Sequence, residues 1–222
     1  MNTESEKNRG YFKIKGAASA FNFDFRNKVV LDIGSSTGGF TEFALEKGAK
    51  KVIAIEKGTN QMKSPLRHDT RIDLHEKTDI FNTGISKSVT PGISERGSAR
   101  VSARAPWRRE RATRPGVTLL DIPDIIVADV SFLSLTKILK YAKIHLSRSN
   151  TEFLVMLKPQ FEARPNQLNK GVVKNEKIRR DIIKNFEKWL KDNDFIIMNK
   201  RDNTLHGKTG NIERFYLLKL AK

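Results

Sequence analysis

An α/β fold is what the sequence predicts, built on a mostly parallel seven-stranded sheet with helices on both faces. Three observations predict it. Short β-branched runs alternate with amphipathic segments along the chain. A glycine-rich turn joins the first of those runs to the first helix. The last two apolar runs follow each other with no helix between them, which predicts an antiparallel last strand at one edge.

Each element follows from local pattern. Val29-Val30-Leu31-Asp32-Ile33-Gly34 is a buried-strand run that stops at a glycine. Thr41 to Lys47 predicts a helix closed by Gly48 just past its end. Lys51 to Glu56 predicts a second strand, and a third is expected to end at Asp79-Ile80. Asp124 to Val130 predicts another, with Ile125, Ile126 and Val127 all β-branched. Leu135 to Leu146 is helical in pattern, and Glu152 to Leu157 is a strand that stops at Lys158-Pro159. Ile178 to Asp192 predicts a long helix with Ile182, Ile183, Phe186, Trp189 and Leu190 on its apolar face. Phe195 to Met198 and Phe215 to Leu220 close the chain as strands.

At 222 residues the chain predicts one domain over residues 1–222 with a sizeable core. No apolar run is long enough to span a bilayer, and the first nine residues are polar, unlike a secretory signal. The absence of cysteine excludes disulfides and thiolate metal sites and fits a reducing, cytoplasmic setting. Four scattered histidines show no metal-ligand spacing, so no metal is expected. The net charge of +17 carries self-repulsion that a polyanionic partner relieves, and nucleic acid is the first candidate. Residues 91–116 stand apart, with seven arginines, no lysine and no apolar periodicity. They read as an inserted, flexible loop at +5, which leaves +12 on the remainder.

Asp32-Ile33-Gly34-Ser35-Ser36-Thr37-Gly38-Gly39-Phe40 places backbone N–H groups and a helix start at the end of the first strand. A triphosphate loop needs a lysine after its last glycine, and a dinucleotide loop needs glycine at position 36; neither is met. The pattern resembles the first motif of class I S-adenosylmethionine-dependent methyltransferases, which implies a Rossmann-like fold with that cofactor. In such a site Gly34, Ser36, Gly38, Gly39 and Phe40 let backbone approach the ligand, and Asp32 meets its ammonium. Glu56, at the end of the second strand, can accept from both ribose hydroxyls, and Asp79 and Ile80 can meet the adenine.

The stretches LDIGSSTGGFTEFALEKGAKKVIAIEKGTNQ, DIIVADVSFLSLTKIL, LKPQFEA, KGVV and GKTGNIERFYLL extend the match. Together they resemble the TlyA-type rRNA methyltransferases, also called haemolysins and related to the FtsJ methyltransferases. The resemblance implies ribose 2′-O-methylation of rRNA, with rRNA or a ribosomal subunit as partner, no membrane, and a monomer or weak dimer. It implies a Lys-Asp-Lys-Glu catalytic set with Asp129, Lys158 and Glu213 as its last three members. The first lysine belongs to an RG-x-LK-like segment, read here as Lys15 to Ser19, which puts Ser19 where lysine is expected and so implies weakened activity unless Lys13 or Lys15 substitutes. The chain begins just before that segment, so a preceding RNA-binding domain is expected to be missing. A catalytically weakened RNA-binding relative and a membrane-acting haemolysin are the alternatives.

Methyl transfer to a ribose hydroxyl asks the protein to align two reactants and remove one proton. A lysine accepts that proton only when neutral, so Lys158 is the expected base, oriented by Asp129 and Glu213. Each has an ordinary reading too: Asp129 as a helix cap, Lys158 as a solvated strand end, Glu213 as a water-facing strand residue. Lys15 and Lys170 are expected near RNA phosphates, and Phe132 and Phe161 as packing residues rather than base platforms.

Overall fold

The computed structural model describes residues 7–86, 116–205, 207 and 210–221. In chain order, α1 (Arg9–Phe21) precedes β1 (Val29–Ile33), α2 (Gly39–Glu46), β2 (Lys51–Ile55), β3 (Ile72–His75) and the short β4 (Thr83–Ile85). Then come β5 (Val117–Leu119), β6 (Ile125–Ala128), α3 (Leu135–His145), β7 (Glu152–Leu157), α4 (Pro159–Glu162), α5 (Glu176–Asp192), β8 (Phe195–Asp202) and β9 (Arg214–Leu220).

Seven strands form one sheet in the order β3-β2-β1-β6-β7-β9-β8. The first five in that row pair in parallel, and β9 runs antiparallel between β7 and β8. Chain order reverses at β1, so the crevice beyond the ends of β1 and β6 is where an open sheet of this kind takes a ligand. Side chains alternate across the sheet with period two. Leu31 and Ile33 pack with Leu135, Ile138 and Phe186 of α3 and α5 on one face. Val30 packs with Ile14, Phe40 and Phe43 of α1 and α2 on the other.

The strands of the sheet thus lie where β-branched runs predict them, and the helices cover both faces. Lys15 to Ser19 lies within α1, on whose apolar face Ala17 and Ala18 are buried. One expectation about the strands is corrected. The third strand ends at His75, not at Asp79, which instead caps a short 3-10 turn by accepting from Phe81 N at 3.1 Å. β4 and β5 form a separate two-stranded pair. The segment expected as a flexible insertion lies, apart from Gly116, outside the described residues.

α1 meets α2 at their N-termini, and glycine makes that contact possible. A Cβ on Gly39 would stand 2.1 Å from Asn8 Oδ1 and 2.6 Å from the backbone N of Tyr11. Asn8 caps α1 by accepting from Tyr11 N at 3.1 Å, so a methyl group at position 39 must displace the cap or the helix. Gly39→Ala is expected to lower stability by about 1–3 kcal/mol, as overpacking does. Urea denaturation measures this; an unchanged midpoint would mean that α1 has room to yield.

Candidate active site

Two adjoining cavities open at the ends of β1 and β6. One, of about 520 Å³, is bordered by the start of α1, the glycine loop, Lys158 and Glu213. The other, of about 570 Å³, runs over Glu56, Asp79, Ile80 and Phe132. They share Gly34, Ser36, Asp129 and Ser131. Gly34 sits where the exits of β1 and β6 pass closest. Its φ is +80°, and a Cβ there would stand 3.3 Å from the Asp129 carbonyl oxygen. No other residue type holds that conformation and that proximity without strain.

At the junction the charged side chains form an alternating row. Lys158 Nζ lies 2.5 Å from Asp129 Oδ1. Lys13 Nζ lies 3.8 Å from Asp129 Oδ2 and 2.7 Å from Glu213 Oε2. Glu213 is only 3% exposed and Lys13 7%. Carboxylate and ammonium groups so buried persist when they are paired. Asn203 Nδ2 also reaches Glu213 Oε2, at 3.4 Å, and Asn203 N donates to the Glu213 carbonyl. Asn211 ties the same β8–β9 connection to the segment around Lys170, accepting from Val173 N and donating to the Gly171 carbonyl.

The first lysine of this row is Lys13, not a residue at position 19. Ser19 lies on the exposed side of α1. The RG-x-LK-like pattern is met six residues earlier, by Arg9-Gly10-Tyr11-Phe12-Lys13, and that signal was present in the sequence. A helix lysine reaches the sheet edge here because α1 docks on α2 through Gly39.

Asp32 is 1% exposed and accepts from the Thr41 hydroxyl at 2.7 Å through Oδ2. Its Oδ1 has no hydrogen-bond partner, nor has the buried hydroxyl of Ser35. Burial pushes the Asp32 carboxyl up to about 7; the Thr41 hydrogen bond works against this, and the charges of Asp129 and Glu56 add to it. Glu56 accepts from Ser36 N at 2.9 Å and Gly58 N at 2.6 Å. Asp79 also pairs with exposed Lys57 at 3.3 Å.

Of the residues expected to contact a cofactor, Gly34, Ser36, Gly39, Phe40, Glu56, Asp79 and Ile80 border the two cavities. Asp32 and Gly38 lie behind the loop, Gly38 as the left-handed cap of α2. Lys15 and Lys170 stand outside both cavities. Phe132 corrects the expectation of a packing residue. It is 92% exposed at a φ of +62°, with Phe161 5.3 Å away ring to ring. A bulky side chain in the left-handed region costs energy that packing does not return here. Sequence reasoning also missed Glu162, which accepts from Ser134 Oγ at 2.7 Å and Leu135 N at 2.6 Å. Glu162 thereby joins the segment after β6 to the segment after β7. Among the described residues no group of three His, Asp or Glu side chains is placed to hold a metal ion, and no helix is long and apolar enough to cross a membrane.

The FtsJ-like methyltransferase family profile matches residues 7–220. Hemolysin A of Brachyspira hyodysenteriae is 34% identical over 90% of this chain and 71% of its own length. The 23S rRNA (cytidine-2'-O)-methyltransferase TlyA of Campylobacter jejuni is 30% identical over 94% of this chain and 68% of its own. The chain therefore spans about two thirds of these relatives. A crystal structure assigned as a hemolysin, from Lactococcus lactis, superposes with a TM-score of 0.76 at 29% identity, covering 96% of this chain and 87% of that one.

Proposed function

The chain belongs to the FtsJ-like methyltransferase family, and on that premise we propose that it methylates a ribose 2′-hydroxyl of ribosomal RNA with S-adenosylmethionine as donor. The observation that carries the reading is the row Lys13, Glu213, Asp129, Lys158 at the seam of two cavities. The second cavity suits the adenosine and the first the methionine end of the donor together with the acceptor, so the row lies where the two reactants meet.

The residues fit the donor. Ser35 Oγ, on the wall of the first cavity, and Asp32 Oδ1, behind it, are buried acceptors without partners, which suits an ammonium group met directly or through water. Glu56 presents two carboxylate oxygens beside the adenosine cavity, and Asp79 and Ile80 close its far end. Arg9 and the N-termini of α1 and α2 border the first cavity and favour a carboxylate. When bound, S-adenosylmethionine supplies a methyl group already activated by its positive sulfur.

The chain then has a proton to manage and an acceptor to hold. Lys158 takes the proton of the ribose hydroxyl as that oxygen begins its new bond. Asp129 holds Lys158 in place and stabilises the ammonium it becomes, while Lys13, held by Glu213, limits the negative charge on Asp129. Exposed Phe132, with Phe161 beside it, offers an apolar ring on which the base of an unstacked nucleotide can lie. Lys15 and Lys170 supply phosphate contacts outside the cavities. The net charge of +17 favours such a partner, and ribosomal RNA places the protein in the cytoplasm.

Calorimetric titration with S-adenosylmethionine, followed by tritium transfer to ribosomal RNA, tests the reading. Micromolar binding that Glu56→Ala weakens at least about tenfold is expected, as for loss of a charged hydrogen bond. Label that enters bases rather than ribose, or no binding at millimolar donor, would overturn it.

A further inference from the structure

Lys158 has a second partner besides Asp129. Its Nζ donates to Ser131 Oγ at 2.9 Å. Asp129 Oδ1 is nearer, at 2.5 Å, yet it lacks the alignment of a hydrogen bond and acts on Lys158 as a charge. Charge attraction has little directionality, whereas a hydrogen bond has a preferred angle. The Phe161 ring, 5.9 Å from Nζ, bounds another side. Ser131 borders both cavities.

The segment carrying Ser131 is held more firmly than a surface loop needs to be. Phe132, its neighbour, is in the left-handed region. Two residues further on, Ser134 Oγ and Leu135 N donate to the carboxylate of Glu162. Glu162 stands in α4, immediately after Lys158. The same carboxylate thus ties the segment that carries Ser131 to the short helix that follows Lys158. A strained residue beside a clamped polar one marks geometry that packing alone does not demand.

We propose that Ser131 is a positioning residue whose hydroxyl fixes the direction from which Lys158 meets the acceptor hydroxyl. A neutral lysine amine has two N–H bonds and one lone pair. With one N–H given to Ser131 and the other turned toward Asp129, the lone pair is left for the ribose proton. Without Ser131 the amine rotates about its last carbon–nitrogen bond and Asp129 alone does not choose among its orientations. This rests on the methyl-transfer reading of the same site.

Two measurements on Ser131→Ala and Ser131→Thr separate the inference from that reading. In the first, lysines of the free protein are acylated with trace acetic anhydride, and the rate at Lys158 is read by mass spectrometry. Ser131→Ala is expected to lower that rate severalfold, because the lone pair is no longer held toward the cavity, and Ser131→Thr to leave it unchanged. In the second, Ser131→Ala is expected to lower kcat about 10- to 100-fold with KM for the donor within about twofold, as misorientation without lost binding does. Ser131→Thr restores most of it. Ser131 is exposed, so thermal midpoints are expected to stay level across the three proteins. An unchanged acylation rate, an unchanged kcat, or no recovery in Ser131→Thr overturns the inference. Wild-type protein that transfers no methyl group, yet shows the acylation pattern, overturns the reaction and leaves the lysine–serine geometry standing.

Discussion

Lys158→Ala is expected to lower methyl transfer by about three orders of magnitude, within the range for loss of a general base together with its positioning. Donor affinity should change by no more than a small factor, because Lys158 faces the cavity opposite the adenosine end. Lys13→Ala should cost activity as well, with a second effect that Lys158→Ala lacks. Removing Lys13 strands Glu213, which is buried and 2.7 Å from it, so stability should fall by about 3–5 kcal/mol. Ser19→Ala is the control, since Ser19 lies outside the row on an exposed helix face. Single-turnover transfer and urea denaturation on the three variants give the comparison. If Lys158→Ala keeps more than a tenth of wild-type activity, proton removal by Lys158 is wrong. If Ser19→Ala loses activity while Lys13→Ala does not, the assignment of the first lysine is wrong.

The sheet was legible because buried parallel strands are continuous apolar runs, such as Val29-Val30-Leu31, Ile125-Ile126-Val127 and Phe153-Leu154-Val155. The site's carboxylates were legible because Asp32, Glu56 and Asp129 each stand at or just beyond a strand end. Lys13 was harder. It acts from a helix that pattern reading did not identify, and its place depends on the absence of a side chain at Gly39. The glycines were read as room for a ligand; for Gly39 the neighbour is Asn8 of the same chain. Phe132 was misjudged because apolar residues are usually, not always, inside, and its left-handed backbone leaves no mark in the sequence. Ser131 and Glu162 were invisible for a plainer reason. Their partners are 27 or 28 residues away, beyond a helix and a strand, and no local pattern encodes such pairs.

The buried carboxyl of Asp32 leads to the largest pH effect expected of this protein. Its ordinary value is 3.8, and in the fold it rises to about 7. Between those values the folded protein holds a proton that the unfolded chain has released, so the contribution of Asp32 to stability is fully present below about pH 4, is lost as pH rises, and levels above about pH 7. The full difference is on the order of 4 kcal/mol, since each unit of pKa is worth about 1.4 kcal/mol. Asp32→Asn keeps the shape and the hydrogen bond from Thr41 while removing the charge. The variant is expected to be more stable than wild type above pH 7 and to lose that advantage below pH 4, as urea midpoints across that range would show. Donor binding should show the opposite sign. Pairing with an ammonium requires the ionised carboxylate, so at pH 6 binding should expel close to one proton, detected as heats that vary with the ionisation enthalpy of the buffer. In Asp32→Asn that dependence should vanish and affinity should fall about 10- to 100-fold, the range for a hydrogen bond to a charged group. A variant less stable than wild type at pH 8 would mean that the carboxylate is already compensated in the empty fold. Asp32 would then be a structural partner of Thr41 rather than the ammonium's counter-charge.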